Sequence, residues 1–404
     1  EFQYELLSPP AAPTRSSGRV KDGNLILTSE VNGKSTRKEL PWDDSIKSPA
    51  YRDRQLRQNP IKAGERRTLK AFDPQFAEVS TMTLQAADWA NVALLGGQTK
   101  KLLDVTVTES IAPQIVTHDF VDKKGEILKS TVSLLGMATY KVSKTEALKA
   151  LSGDEVDLAI ATLIKTGEIK QPGQTTRVVY RITIPGDDPE KTLSAGPTQK
   201  VARIDPHTID LTVDAISPPE NDGAGGQGRP GKEFLAPNAY VQSDDQLVRK
   251  HAAEAVGGET DPWKSAQLME RWVQQNVKKK NFSTLLASAA EVAKELSGDC
   301  TEHAVLLAAM CRARKIPSRV AVGLVYVPAQ SSFGGHMWTE MFVRGEWIPL
   351  DATLGKGGVA ADHIKFADSS FSDEGGSSPL ASFLPLVSVL GKLKIEVRDV
   401  SHEK

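Results

Sequence analysis

The stretch Gly298-Asp299-Cys300-Thr301-Glu302-His303-Ala304 decides how the C-terminal half of this 404-residue chain is interpreted. It places a cysteine directly after a helix-breaking glycine and an aspartate. Apolar residues follow at helical spacing, namely Ala304, Leu307, Ala308 and Cys311. This pattern predicts that Cys300 lies at the N-terminus of a helix. The positive end of a helix stabilises a thiolate, which is the reactive form of cysteine. A lone cysteine is more often a buried structural residue, so the rest of a site has to be sought.

A histidine follows on a predicted strand. In residues 334–343, GGHMWTEMFV, two glycines end a loop and the residues after them read as a strand that contains His336. Arg344-Gly345 then fits a two-residue hairpin turn, in which glycine supplies a positive φ. The return strand is predicted to run from 346 to 351.

The register of this hairpin decides whether an acid stands beside the histidine. If Val343 pairs with Glu346, Asp351 lies opposite Trp338 and diagonal to His336. Diagonal Cβ atoms are about 7–8 Å apart, which a carboxylate and an imidazole can bridge. A three-residue turn would move Asp351 to the other face, so this register is a testable expectation.

The three residues together have the roles of a catalytic triad. Cys300 would attack, His336 would take and return the proton, and Asp351 would fix the tautomer of the imidazole. Taken singly, His336 is better explained as a packed histidine and Asp351 as a residue at a strand end. Taken jointly, the nucleophile, base and orienting acid favour the catalytic interpretation.

The surrounding motifs resemble the transglutaminase-like superfamily of papain-type cysteine enzymes, over about residues 261–353. The matching segments are Gly298-Asp299-Cys300, Glu302, Ala304, Leu307, residues 312–323, residues 336–340 and residues 347–353. The resemblance implies that Cys300 is the nucleophile, His336 the base and Asp351 its orienting acid. It also implies an α+β fold with the nucleophile helix packed on an antiparallel sheet, and a protein or peptide substrate.

The oxyanion hole is only partly assigned by the sequence. Such a hole needs two donors, and the backbone N–H of Cys300 is a natural first one. The resemblance places the second donor on a side chain upstream of the nucleophile. The candidates are Gln274, Asn276, Asn281 and Trp263, and an aromatic position of the family falls on Phe282, which donates nothing.

Two classes of function fit these residues. The first is an enzyme that acts on amide bonds through a thioester on Cys300, as a peptidase or amidase with water or as a transglutaminase with an amine. Hydrolysis is preferred, because water needs no dedicated acceptor site. The second is a binding or scaffolding protein whose transglutaminase-like domain is inactive, and the complete set of Cys, His and Asp argues against it.

Composition excludes several partners. Lysine and arginine number 50 and aspartate and glutamate 51, so no charge imbalance points to nucleic acid. The short run Lys278-Lys279-Lys280 is better explained as a solvated helix end. There is no run of 18 apolar residues, so no membrane span is predicted. The chain opens at Glu1-Phe2 without a methionine, and a removed signal peptide would fit, so we expect a periplasmic or extracellular protein.

The two cysteines exclude a disulfide and a cysteine-rich metal site. Cys300 and Cys311 on one helix would be about 16 Å apart, too far to be bridged. A metal site formed by Cys300, His336 and Asp351 is formally possible. We expect neither a metal nor another cofactor, because the flanking residues match a nucleophile family. His363, near the site in sequence, is interpreted as the start of a strand rather than a site residue.

The domain organisation follows from strand patterns and one linker signal. Short strands separated by turn signals predict a mainly antiparallel β module over residues 1–216, with room for two subdomains. Within it, the polar segment 55–64 is predicted to be a loop. Residues 217–232 are rich in glycine and proline and predict a flexible linker. Residues 233–404 then form the predicted catalytic domain, and the sequence does not specify the oligomeric state.

Overall fold

The computed structural model describes residues 1–6, 14–74, 76–113, 115–132, 137–149, 163–220, 228–279, 286–372 and 379–402. The chain divides into two compact units. The first comprises residues 1–4, 16–28 and 37–156, and the second comprises residues 5–15, 29–36 and 157–404. All three predicted catalytic residues lie in the second unit.

The N-terminal part of the chain is built mainly from antiparallel strands, as predicted. Its strands are β1 (Phe2–Leu6), β2 (Thr14–Lys21), β3 (Asn24–Val31), β4 (Lys34–Pro41), β5 (Ile46–Lys47), β6 (Arg66–Asp73), β7 (Glu78–Ala93), β8 (Thr99–Glu109), β9 (Thr117–Val121), β10 (Ile127–Val132) and β11 (Ala138–Tyr140). Strands β1 to β4 form one sheet in chain order, and β5 to β11 form a seven-stranded sheet, also in chain order. In the larger sheet β5 pairs with β6 in parallel and the other pairs are antiparallel.

The described residues of this part also form the α-helices α1 (Tyr51–Gln58) and α2 (Lys144–Ala147). Helix α1 corrects the sequence prediction, because the segment 55–64 was expected to be a loop and its first four residues are helical. The helix is polar apart from Leu56, which is 1% exposed and packs into the apolar cluster of the larger sheet. One apolar side chain is too weak a periodic signal to reveal a helix that is held by tertiary packing.

The second unit contains two main sheets. Its strands are β12 (Ile164–Lys165), β13 (Thr175–Thr183), β14 (Gln199–Asp205), β15 (Thr208–Asp214), β16 (Lys278–Lys279), β17 (Ser297–Gly298), β18 (Ser318–Val327), β19 (Ser332–Val343), β20 (Glu346–Leu350), β21 (His363–Ser369) and β22 (Lys394–His402). One sheet has the order β12-β19-β18-β21, with β20 paired to β19, and carries the predicted site. The other has the order β14-β15-β13-β22. The short strands β16 and β17 pair in parallel.

Most helices of the second unit in the described residues begin at a side chain that caps them. The helices are α3 (Pro189–Thr192), α4 (Gln246–Val256), α5 (Pro262–Asn276), α6 (Ala289–Glu295), α7 (Cys300–Ala313) and α8 (Leu384–Val387), besides the 3₁₀ turns Pro172–Gln174, Lys232–Phe234, Pro328–Gln330 and Pro379–Phe383. The side chains of Asp245, Asp261, Ser288 and Asp299 accept hydrogen bonds from the first turns of α4 to α7. Helix α7 is the central one, because α4, α5 and α6 all contact it and its residues 300–312 are all buried.

Arg312 anchors the C-terminal end of α7. It is 2% exposed, and its guanidinium donates to the carbonyl oxygens of Ser318 at 2.8 Å, Ala236 at 2.9 Å and Ser370 at 2.9 Å. Burial lowers the pKa of Arg312 to about 10. Three separate segments of chain are therefore fixed to the helix that begins with Cys300.

The domain division at residues 217–232 stays a prediction, and the compact units of the structure divide at a different place. Strands β13 to β15 precede the predicted linker, yet β13 pairs with β22 along its length, for example Ile182 with Ile395. Residues 163–216 therefore belong to the same compact unit as the predicted catalytic domain. Separately, none of the helices in the described ranges is both long and apolar enough to cross a membrane.

Candidate active site

Cys300 is the first residue of α7, as the sequence predicted. A capping box holds this end of the helix: the Asp299 side chain accepts from the N–H of Thr301 at 2.8 Å, and Glu302 accepts from the N–H of Asp299 at 3.0 Å. Burial and the neighbouring Glu302 raise the pKa of Asp299 to about 7. Cys300 is 6% exposed, so the N-terminal end of α7 is mostly buried but a small part of this residue remains accessible.

His336 lies on β19, opposite Gly323 of β18. The ring of Trp338, two residues along the strand, stacks against the imidazole with 6.2 Å between ring centroids. Gly323 leaves room for this ring, because a Cβ atom there would lie 2.9 Å from Trp338 Cη2 and 2.0 Å from the carbonyl oxygen of Ile364. Helix α7 packs on the same strand, where Thr339 Oγ1 donates to the carbonyl oxygen of Ala304 at 2.9 Å.

The predicted hairpin has the register that the triad requires. Val343 pairs with Glu346, and both turn residues have positive φ, 53° at Arg344 and 91° at Gly345. The strand β20 ends at Leu350, so Asp351 is the next residue. Its Oδ2 lies 2.8 Å from Nε2 of His336, and both side chains are buried.

The thiol completes this arrangement. Burial lowers the pKa of His336, but the neighbouring Asp351 and Cys300 outweigh it and raise the pKa to about 9. Because Nε2 is occupied by Asp351, Nδ1 is the nitrogen available to the thiol. The structure thus brings together Cys300, His336 and Asp351, the three residues singled out in the sequence.

A second histidine, which the sequence analysis left out of the site, contacts the same carboxylate. Nε2 of His363 lies 3.3 Å from Asp351 Oδ2, and Nδ1 lies 2.7 Å from Oδ1 of the adjacent Asp362. Burial raises the pKa of Asp351, but the two histidines outweigh it and hold the value well below its usual range. The strand start at residue 363 was predicted, but the sequence does not show that β21 pairs with β18 and returns next to the hairpin.

The structure does not bring any of the described upstream candidates for a second oxyanion donor into contact with Cys300 through a hydrogen bond. Asn276 Nδ2 donates to the carbonyl oxygen of Trp272 at 2.8 Å. Gln274 is exposed, and the stem of its side chain packs over Gly355. Trp263 is partly buried against the core, and Asn281 and Phe282 fall outside the described residues. We still expect the backbone N–H of Cys300 to be the first donor, because the first N–H groups of a helix have no partner within it.

A family model described as the transglutaminase-like superfamily matches residues 249–352, which span α7, β19 and β20 with all three residues. The C-terminal half of the chain contains a transglutaminase-like domain. A relative from Haemophilus influenzae, described as an uncharacterized protein, is 26% identical over 147 residues. That match covers 30% of this chain and 39% of the relative, so the chain accounts for well under two thirds of the relative's length.

Three solved structures are similar to parts of the chain. A candidate cysteine protease from Cytophaga hutchinsonii has a TM-score of 0.34 and 18% identity, covering 57% of this chain and 86% of that one. The periplasmic domain of TgpA from Pseudomonas aeruginosa has a TM-score of 0.27 and 13% identity, covering 46% and 92%. A candidate protease from Parabacteroides distasonis has a TM-score of 0.22 and 14% identity, covering 82% and 64%.

A buried glutamate stabilises the loop that follows Asp351 in the transglutaminase-like domain. Glu270 of α5 is 1% exposed, and its Oε2 accepts from the N–H of Gly357 at 2.8 Å. Burial raises the pKa of Glu270 to about 8. Among the described residues, its Oε1 and Thr353 Oγ1 are two of the few buried polar atoms without a hydrogen-bond partner. A protonated Glu270 fits this environment, because the neutral form avoids a second buried negative charge near Asp351.

Four charged side chains join the strands of the site. Glu340 of β19 accepts from Arg319 of β18 at 2.7 Å and from Lys365 of β21 at 3.0 Å, and Asp368 pairs with both cations at 3.0 and 3.2 Å. The guanidinium of Arg319 also lies 4.2 Å from the centroid of the Trp347 ring. Two cations and two anions compensate one another, so the cluster connects three strands without adding net charge.

The donors at the site also have the chemistry of a metal centre. His336, Asp351 and His363 each offer one ligand atom, and these atoms lie within 4.8 Å of one another. A proton on Nε2 of each imidazole, however, accounts for the 2.8 and 3.3 Å separations as N–H···O hydrogen bonds. The arrangement of these three residues is therefore explained by hydrogen bonding to one carboxylate.

Proposed function

We propose that the transglutaminase-like domain is a cysteine enzyme that cleaves amide bonds of proteins or peptides through a thioester on Cys300. The observation that carries this proposal is the 2.8 Å contact between His336 and Asp351, with Cys300 among the neighbours that raise the pKa of the same imidazole. Helix α7 packs on the antiparallel sheet that contains His336, and this packing supports the papain-like α+β arrangement that we propose.

The first half of the reaction forms the thioester. Sγ of Cys300 attacks the amide carbon while its proton passes to Nδ1 of His336. The developing oxyanion is stabilised by the backbone N–H of Cys300 and by the dipole of α7. His336 then gives its proton to the leaving amine as the carbon–nitrogen bond breaks. Asp351 keeps the imidazole in the required tautomer throughout.

The second half regenerates the enzyme. Water gives up a proton to Nδ1 of His336 and attacks the thioester carbon, which releases the acid and returns the proton to the thiolate. An amine in place of water would give a new amide, the outcome of a transglutaminase. We propose hydrolysis, because water needs no acceptor site, and the periplasmic or extracellular location stays a prediction.

The proposal can be tested by the rate at which iodoacetamide alkylates each cysteine, measured by peptide mass spectrometry between pH 5 and 9. Cys311 is an internal control on the same helix, since it is fully buried and burial raises its pKa to about 12. We expect fast alkylation of Cys300 that persists below neutral pH and is lost in His336→Ala.

Substrate assays then separate the two chemical outcomes. Glutamine peptides with and without a primary amine would be followed by mass spectrometry, with Cys300→Ala as the inactive, folded control. Release of a free acid in the presence of amine supports hydrolysis, and amine incorporation supports transfer. A Cys300 that reacts no faster than a free cysteine peptide, with or without His336, would instead support a non-catalytic binding protein.

A further inference from the structure

His363 is enclosed by two carboxylates. Its Nε2 faces Asp351 at 3.3 Å and its Nδ1 faces Asp362 at 2.7 Å, and the residue is 4% exposed. An ionised carboxylate only accepts hydrogen bonds, so with both carboxylates ionised each ring nitrogen of His363 carries a proton. An imidazole with two protonated nitrogens is a cation. The geometry therefore places a buried imidazolium on the far side of the acid that orients His336.

We propose that His363 is a positioning residue of this site, which as an imidazolium holds Asp351 ionised and directed at His336. The inference rests on the proposed function, because it assigns His363 a part in the thiol chemistry. Once the thiol proton has passed to His336, the charges alternate from the thiolate through imidazolium, carboxylate and imidazolium to the carboxylate of Asp362. Every adjacent pair in that order attracts.

Several contacts hold His363 in this place. Trp338 meets its ring edge-on at 5.2 Å between centroids and stacks on His336 from the same strand. The two imidazole centroids are 5.6 Å apart. Burial lowers the pKa of His363, but Asp362 and Asp351 outweigh it and raise it to about 9. Among the described residues, the titratable groups that face it are Asp351, Asp362 and His336. Tyr180 neighbours Asp362, Glu270 neighbours Asp351, Cys300 neighbours His336, and Lys365 lies two positions further along β21.

The cation is expected to favour the reactive form of the thiol. A positive charge several ångströms beyond His336 stabilises the thiolate and keeps the Asp351 carboxylate ionised. Removing it should move the pH of half-maximal alkylation of Cys300 upward by roughly one unit, the size that Coulomb's law gives at an effective dielectric constant near 20. Loss of the second contact to Asp351 acts in the same direction, because His336 is then less firmly oriented.

The protonation state can be measured on the unaltered chain. With ¹⁵N in the histidine rings, long-range ¹H–¹⁵N spectra at pH 7 distinguish a nitrogen that carries a proton from one that does not. The chain has seven histidines, and the His363 signals are assigned by their change in Asp362→Asn. We expect both nitrogens of His363 to carry protons. One unprotonated nitrogen at pH 7 would overturn the proposal.

The positioning role is measured through the alkylation profile of Cys300 in three variants. His363→Gln removes the cation, and Asp362→Asn keeps the imidazole but removes one of its carboxylates. His118→Gln is the matched control, because His118 also pairs with an aspartate, Nδ1 to Asp104 Oδ1 at 3.0 Å, but on the seven-stranded sheet of the first unit. We expect upward shifts for His363→Gln and, to a smaller extent, Asp362→Asn, and none for His118→Gln.

The possible failures are distinguishable. If Cys300 in the unaltered chain is unreactive at every pH, the proposed function fails before any variant is compared. If Cys300 is reactive, but His363→Gln and Asp362→Asn both have the alkylation profile of the unaltered chain, His363 is a structural residue and the proposal is wrong. If His363→Gln does not fold, the spectra of the unaltered chain and the Asp362→Asn profile still decide.

Discussion

Replacing Glu270 by glutamine should make the second unit more stable at alkaline pH and change it little under mildly acidic conditions. Glutamine has the shape of a protonated glutamate and can still accept from the N–H of Gly357. A carboxyl whose pKa is raised in the fold contributes stability at a pH below its unfolded-state pKa. That contribution is lost as the pH rises from the unfolded-state pKa to the raised pKa of the folded state. For Glu270 the window lies between 4.5 and about 8.

The magnitude follows from the width of that window. Each pH unit of difference between the folded and unfolded pKa is worth about 1.36 kcal/mol, so the full linkage is about 5 kcal/mol. Between pH 5.5 and 8.5 the free energy of unfolding of the unaltered chain should therefore fall by about 3 kcal/mol relative to that of Glu270→Gln. Glu254→Gln, which removes a half-exposed carboxylate from α4, is the control for loss of one negative charge.

The assay is denaturant unfolding at pH 5.5, 7 and 8.5, followed by tryptophan fluorescence. Hydrogen exchange of α5 is measured beside it, because two units need not unfold together. Parallel pH profiles for Glu270→Gln and the unaltered chain would refute the reasoning. They would mean that Glu270 is ionised in the fold and that the environment of its side chain stabilises the charge.

Three further changes test the site. Asp351→Asn should lower the reaction rate by roughly 10²–10⁴ in a protein that still unfolds cooperatively, because the tautomer of His336 is disturbed. A loss of alkylation rate that is fully explained by a lower melting temperature would contradict this. Gly323→Ala should destabilise by about 1–3 kcal/mol through overpacking, whereas Gly258→Ala, whose new Cβ meets nothing within 4 Å, should not, as urea unfolding would show. Asp299→Ala should lose about 1 kcal/mol of helix capping that Asp299→Asn retains. The stability of Asp299→Asn relative to the unaltered chain should rise between pH 4 and 7, and calorimetry over that range would detect the rise.

The parts of the site that the sequence predicted are those fixed by local chemistry. A glycine and an aspartate before an apolar periodic run located the start of α7, and a two-residue turn set the register that brings Asp351 to His336. Both signals act over a few residues. The resemblance added the roles of these residues, and the family match covers the same segment.

The parts that the sequence did not predict depend on long-range pairing. His363 joins the site only because β21 returns beside β18, and no local signal specifies that partner. In the same way β13 pairs with β22 across more than 200 positions, although a glycine- and proline-rich segment lies between them. Such a segment indicates local chain flexibility, but it does not indicate which core the strands before it join.

Arg312 helps to fix the position of the Cys300 thiol from the opposite end of α7. It lies twelve residues after Cys300, about 18 Å along the helix axis, and it bonds three carbonyl groups from separate segments. A helix is nearly rigid along its axis, so a shift at that end displaces the sulfur against His336. A random-mutagenesis screen for lost activity should therefore recover substitutions at Arg312 and at the segments it holds. A ranking of the recovered positions by distance from the sulfur would wrongly assign these distant positions no role in activity.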